Sequence, residues 1–82
     1  MQTREQILRA YGVPDFEGAE AEGRQIRICC TTGRLAYLHR NEATRLAAEL
    51  LVAGYLADSD EIKQALAFNQ APRDKPTFGT QP

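Results

Sequence analysis

Apolar positions along the chain change their period from helical to alternating and back again, and each change marks an element. In REQILRAY the large side chains Ile7, Leu8 and Tyr11 return at helical spacing, which predicts a short helix from about Arg4 to Tyr11. Thr3 and Gln6 stand three residues apart at its start, the spacing of a capping box, in which each side chain satisfies a backbone N–H of the first turn. Gly12, Val13 and Pro14 then read as a stop: a left-handed glycine, an apolar residue that packs back, and a proline that cannot continue the helix.

The next stretch, DFEGAEAEG over residues 15–23, holds four acids and two glycines around one large apolar residue, Phe16. Nothing in it repeats in a way that would bury a face, so a solvated connecting loop is expected. The alternative is an acidic lip that meets a basic partner.

Alternation takes over in RQIRICCTTGRLAYLHR, residues 24–40. A two-residue turn at Thr32-Gly33 sets Cys30 opposite Leu35, Ile28 opposite Tyr37 and Ile26 opposite His39. That pairing gathers Ile26, Ile28, Cys30, Leu35 and Tyr37 on one face of an antiparallel hairpin. The other face then receives Gln25, Arg27, Cys29, Thr31, Arg34, Ala36, Leu38 and Arg40. Only the glycine of Thr-Gly accepts positive φ freely, so a bulged turn is an equal alternative.

Helical spacing returns after Asn41, a good N-cap, and runs from Glu42 to about Ala57 with Leu46, Ala47, Leu50 and Ala53 along one stripe. Leu51, Val52, Tyr55 and Leu56 carry the apolar surface further round, so a long helix covered on two sides is expected. Asp58 or Ser59, with Glu61 behind, offers a cap for a last short helix. Residues 72–82, PRDKPTFGTQP, carry three prolines and read as a flexible tail, which leaves 1–71 as one domain. The expected class is α+β: an antiparallel β-hairpin packed against a long apolar α-helix, with short N- and C-terminal helices, in the order αββαα.

Length changes this picture by favouring a second copy, since 82 residues bury only roughly 60 to 65% of the surface of the extended chain. A composition of 43% hydrophobic and 26% charged residues is ordinary for a globular domain, and a net charge of -1 excludes a generally polybasic nucleic-acid binder. The charge is nevertheless divided. Residues 1–23 hold two arginines against five acids, residues 24–45 five arginines against Glu42 alone, and residues 46–82 three basic against five acidic groups. No apolar run approaches the roughly 18 residues needed to cross a bilayer. MQTREQ lacks the order of a secretory signal, so a cytoplasmic chain with no membrane partner is expected. Cys29 and Cys30 leave opposite faces of a strand, which predicts free thiols.

Catalysis is not expected. A nucleophile needs a base within hydrogen-bond reach; the alternation puts Cys29 and His39 on opposite faces and Cys30 and His39 at opposite ends of one face. Two adjacent thiols and one distant histidine match no zinc spacing, and carboxylates at 15, 17, 20 and 22 lack the closing glutamate of a calcium loop, so neither metal nor cofactor is expected. Binding is what remains. Gln25, Arg27, Thr31, Arg34 and Arg40 are the candidate partner-binding residues, and Val52, Tyr55 and Leu56 the candidate homodimer seam, with edge pairing of the hairpin open beside it. The function expected is a non-enzymatic protein-binding module, an inhibitor of the kind phages and mobile elements encode against a host complex. The alternative is a small dimeric DNA-binding transcriptional regulator that presents the basic hairpin face to the major groove.

Overall fold

The computed structural model describes residues 2–70, in the order α1 (Arg4–Ala10), β1 (Phe16–Glu22), β2 (Gln25–Cys30), β3 (Leu35–His39), α2 (Arg40–Val52) and α3 (Leu56–Gln70). The fold is α+β, with one antiparallel sheet in the order β1-β2-β3 and helices packed on one of its faces. The tail expected over 72–82 lies outside the described residues. None of the helices among them is long and apolar enough to cross a membrane.

Local signals place α1 as read. Thr3 accepts from the Gln6 N–H while Gln6 accepts from the Thr3 N–H, and Tyr11 closes the helix. Gly12 at φ 76° lets its N–H reach the Arg9 carbonyl and lets the Val13 N–H reach that of Leu8, the paired bonds of a Schellman stop. Val13 is thereby buried against Ile7 and Leu8.

The acidic stretch expected as a loop is a strand. From Ala19 to Glu22 small and acidic residues alternate, and the pairing with β2 turns Ala19 and Ala21 inward beside Ile28 and Ile26 and leaves Glu20 and Glu22 outside beside Arg27 and Gln25. The period was present but carried by alanine, whose burial is too small to signal a face. Gly23, at φ 63°, supplies the left-handed first position of a two-residue turn into β2. A bulge at Glu17 and Gly18, which together oppose Cys29, brings Phe16 back to the inner face opposite Cys30.

The second hairpin resolves the open turn. Its loop has three residues, Thr31, Thr32 and Gly33, closed by Gly33 N–H to Cys30 C=O (2.9 Å) and Cys30 N–H to Arg34 C=O (3.1 Å), with Gly33 at φ 88°. This is the bulged turn, and it shifts the register by one residue from the two-residue alternative. Cys29 pairs with Leu35, Ile28 with Ala36, Arg27 with Tyr37 and Ile26 with Leu38. A one-residue shift exchanges the faces of a whole strand. Leu38 is therefore in the core, while Leu35 and Tyr37, expected inside, stand 51% and 43% exposed. Ile26, Ile28 and Cys30 are buried as the alternation of β2 predicts.

The helix expected to run to about Ala57 stops at Val52, and the last helix, expected short, starts at Leu56 and has 15 residues. Gly54 takes φ 95°, its N–H reaches the Leu51 carbonyl, and the Tyr55 N–H reaches that of Leu50 at 2.8 Å, so a second Schellman stop ends α2 after 13 residues. Its start also differs: His39, not Asn41, is the N-cap, with Nδ1 accepting the Asn41 N–H and the Glu42 carboxylate accepting the His39 N–H. Neither Asp58 nor Ser59 caps α3, which begins at Leu56. Ser59 is fully buried and its hydroxyl donates to the Ala47 carbonyl at 2.8 Å, locking α3 to α2 across a core of Leu46, Leu50 and Ile62. Asp58 instead receives both nitrogens of the Arg4 fork, at 2.5 and 3.2 Å, which joins α3 to α1. On the other side of α1, the Tyr11 hydroxyl donates to Glu49 at 2.6 Å; burial first, and then that bond, push its pKa up to about 12.

Candidate functional site

With every helix on the inner face, the outer face of the sheet is uncovered, and the pairing fixes what it displays. Three rows cross it: Glu22, Gln25 and His39; Glu20, Arg27 and Tyr37; Gly18, Cys29 and Leu35. Arg27 lies at the centre. One of its terminal nitrogens bonds Glu20 and the other lies 3.0 Å from Glu22. The bond to Glu20 and the two charges raise the guanidinium pKa further, so the acids of β1 neutralise the arginine of β2 across the strands.

Arg34 is equally engaged. Its fork grips Asp15, with Nη2 to Oδ1 at 2.6 Å and Nε to Oδ2 at 3.3 Å, and Nη2 also donates to the Gly12 carbonyl at 3.1 Å. Thr32 donates its hydroxyl to the same carboxylate at 2.8 Å, and the Thr31 N–H donates to the Asp15 carbonyl. Arg34 and Thr31 thus pin the β2–β3 turn to the connection between α1 and β1. Arg34, then Thr32, hold the Asp15 carboxyl well below its ordinary value of 3.8. A lowered folded-state pKa favours the native state above the unfolded value and ceases to do so as pH falls toward the folded one. The melting temperature of the wild type is accordingly expected to drop on acidification below about pH 4, and Asp15→Asn to lower it at neutral pH and flatten that acid limb. Thermal melts followed by circular dichroism across the acid range check this; parallel limbs would remove Asp15 from the account.

Of the remaining expected partner residues, Gln25 is exposed beside His39, and Arg40 opens α2 with its side chain half covered. The five do not form one free basic patch, because two of the arginines are committed to acids that read as a separate loop. The side chains the alternation missed are Leu35 and Tyr37, which join Arg27 and half-buried Cys29 on the outer face. The signal for them was glycine at the third loop position. Cys30 is buried beneath the sheet, and that burial pushes its thiol up and away from nucleophilic use. Among the described residues no three His, Cys, Asp or Glu side chains converge to hold a metal ion.

At the far corner, where α2 turns into α3, Val52 and Leu56 stand 86% and 56% exposed, whereas Tyr55 is drawn partly into the core. A shallow groove of about 340 Å³ runs from Val52 past Ala48 to Ile7. Comparison with protein family models, curated proteins and solved structures finds no match to the chain.

Proposed function

We propose that the chain is a non-enzymatic, dimeric protein-binding module of the inhibitor type, working in the cytoplasm with both cysteines reduced, and that it grips its partner with the outer face of the sheet. The observation that supports this is an uncovered face on which Tyr37 stands beside, and Leu35 diagonal to, an arginine whose charge is already met by Glu20 and Glu22. An aromatic and an aliphatic side chain beside a neutralised arginine, rimmed by polar groups, is the composition of a protein interface core. Phosphate binding draws on free positive charge, and Arg27 and Arg34 would each have to leave a carboxylate to supply it.

Affinity capture from cell extract with the full chain tests the reading, with Arg27→Ala as the variant because it removes the central side chain of an inner strand at little cost in stability. One protein captured in stoichiometric amount by the wild type, and at least tenfold less by the variant, is the expected result. Capture indifferent to Arg27 would overturn the site. Salt-sensitive binding to duplex DNA in place of protein capture would instead make the chain the DNA-binding regulator.

A further inference from the structure

The two edges of the sheet are built in opposite ways. β1 carries Glu17, Glu20 and Glu22, is bent by a bulge, and has α3 packed alongside. Charge and a bulge are the devices by which natural sheets prevent a second strand from adding to an edge. β3 has none of them. Its five residues, Leu35-Ala36-Tyr37-Leu38-His39, include no acid, lysine or arginine, its register with β2 is unbroken, and β2 and α2 are the elements packed on it. Its free edge therefore offers the outward N–H and C=O groups of Leu35 and Tyr37, beside their two exposed apolar side chains, while the His39 N–H is already held by Glu42.

We infer that this edge is the seam between two copies of the chain: β3 pairs antiparallel with β3 of a second copy about a two-fold axis at Tyr37, which makes one six-stranded sheet. The strand is complementary to itself in that register. Tyr37 meets its own copy and Leu35 meets His39 on the outer face, Ala36 meets Leu38 on the inner face, and no two like charges face each other within the ladder. At its ends Arg34 falls opposite Arg40, but Arg34 is already neutralised by Asp15. The pairing shields the flanks of Leu35 and Tyr37, the two large apolar side chains that the register leaves 51% and 43% exposed on one strand, and keeps their outward surface on the face proposed to grip the partner. It also joins the two outer faces into one continuous surface, and the outer edges of the symmetric closed dimer are the two acidic, bulged β1 strands with α3 alongside. The inference rests on the dimeric reading above and moves its seam from Val52, Tyr55 and Leu56 to β3.

Sedimentation equilibrium of the full chain over a wide concentration range separates the two. The wild type is expected to double its mass, Val52→Glu to associate as the wild type does, and Tyr37→Lys to remain monomeric at ten times the wild-type midpoint. Lysine on an edge strand opposes pairing, and position 37 is exposed in the monomer, so the fold is expected to survive. Hydrogen exchange on the unmodified chain is the second readout: the amides of Leu35 and Tyr37, which face the free edge, gain protection as concentration rises, and those of β1 do not. Association that ignores Tyr37→Lys, or that disappears in Val52→Glu, overturns the seam and leaves the dimer standing. A monomer at every concentration overturns both.

Discussion

Ile28→Ala is expected to cost about 2–5 kcal/mol and to leave much of the chain unfolded at physiological temperature. Ile28 has no exposed surface, sits on the middle strand of the sheet, and faces the helices that close the core. Removing three methyl-equivalents there loses their transfer energy and opens a cavity that a sheet hydrogen-bonded on both sides cannot collapse to fill. The loss weighs heavily because stability runs at roughly 0.05–0.15 kcal/mol per residue, on the order of 4–12 kcal/mol for a chain of this length. Ile28→Val, which keeps the branched stem, should cost only about 0.5–1.5 kcal/mol. Urea titrations of the two variants beside the wild type measure the difference, and a loss below about 1 kcal/mol for the alanine variant would mean that this face is not the core.

The register of β3 makes a second strong contrast. Leu38→Asp buries a carboxylate among Ile26, Ala43 and their neighbours with no partner to receive it, and cooperative unfolding is expected to disappear. Leu35→Asp puts the same group on the outer face, where half of the residue is in water, and should move stability by no more than roughly 0.5 kcal/mol at concentrations where the chain is monomeric. A two-residue turn at Thr32-Gly33 would reverse the order of these two variants, since it places Leu35 inside and Leu38 outside. Circular dichroism melts of the pair therefore report the length of the turn without any further structure determination.

Those two experiments also separate what local pattern carries from what it does not. The capping box at Thr3 and Gln6, the stop at Gly12 and the common side of the β2 side chains follow from groups at most five residues apart, so they are legible without knowing the rest of the fold. The candidate site was legible only in part. Arg27 and Gln25 lie on the outer face as their alternation requires, but their neighbours there were not foreseen, because Leu35 and Tyr37 change sides with one residue of loop. The pairing of Arg27 with Glu20 and Glu22 was equally hidden, since those acids belong to a strand whose inward residues are alanines.

Local pattern was enough to specify the first helix, its stop and the common side of Ile26 and Ile28, because each of these depends on neighbours along the chain. Contacts between distant segments chose the rest. β1 exists because β2 offers it a ladder and α3 packs alongside, not because glycine, alanine and glutamate favour a strand. The three-residue loop is chosen over the two-residue one because its register puts Leu38 into the core beside Ile26, where the helices cover it. Gly54 ends α2 in the same way: glycine inside a helical run is tolerated until folding α3 back on α2, with Ser59 bonded to Ala47, stabilises the break by more than continuing the helix would.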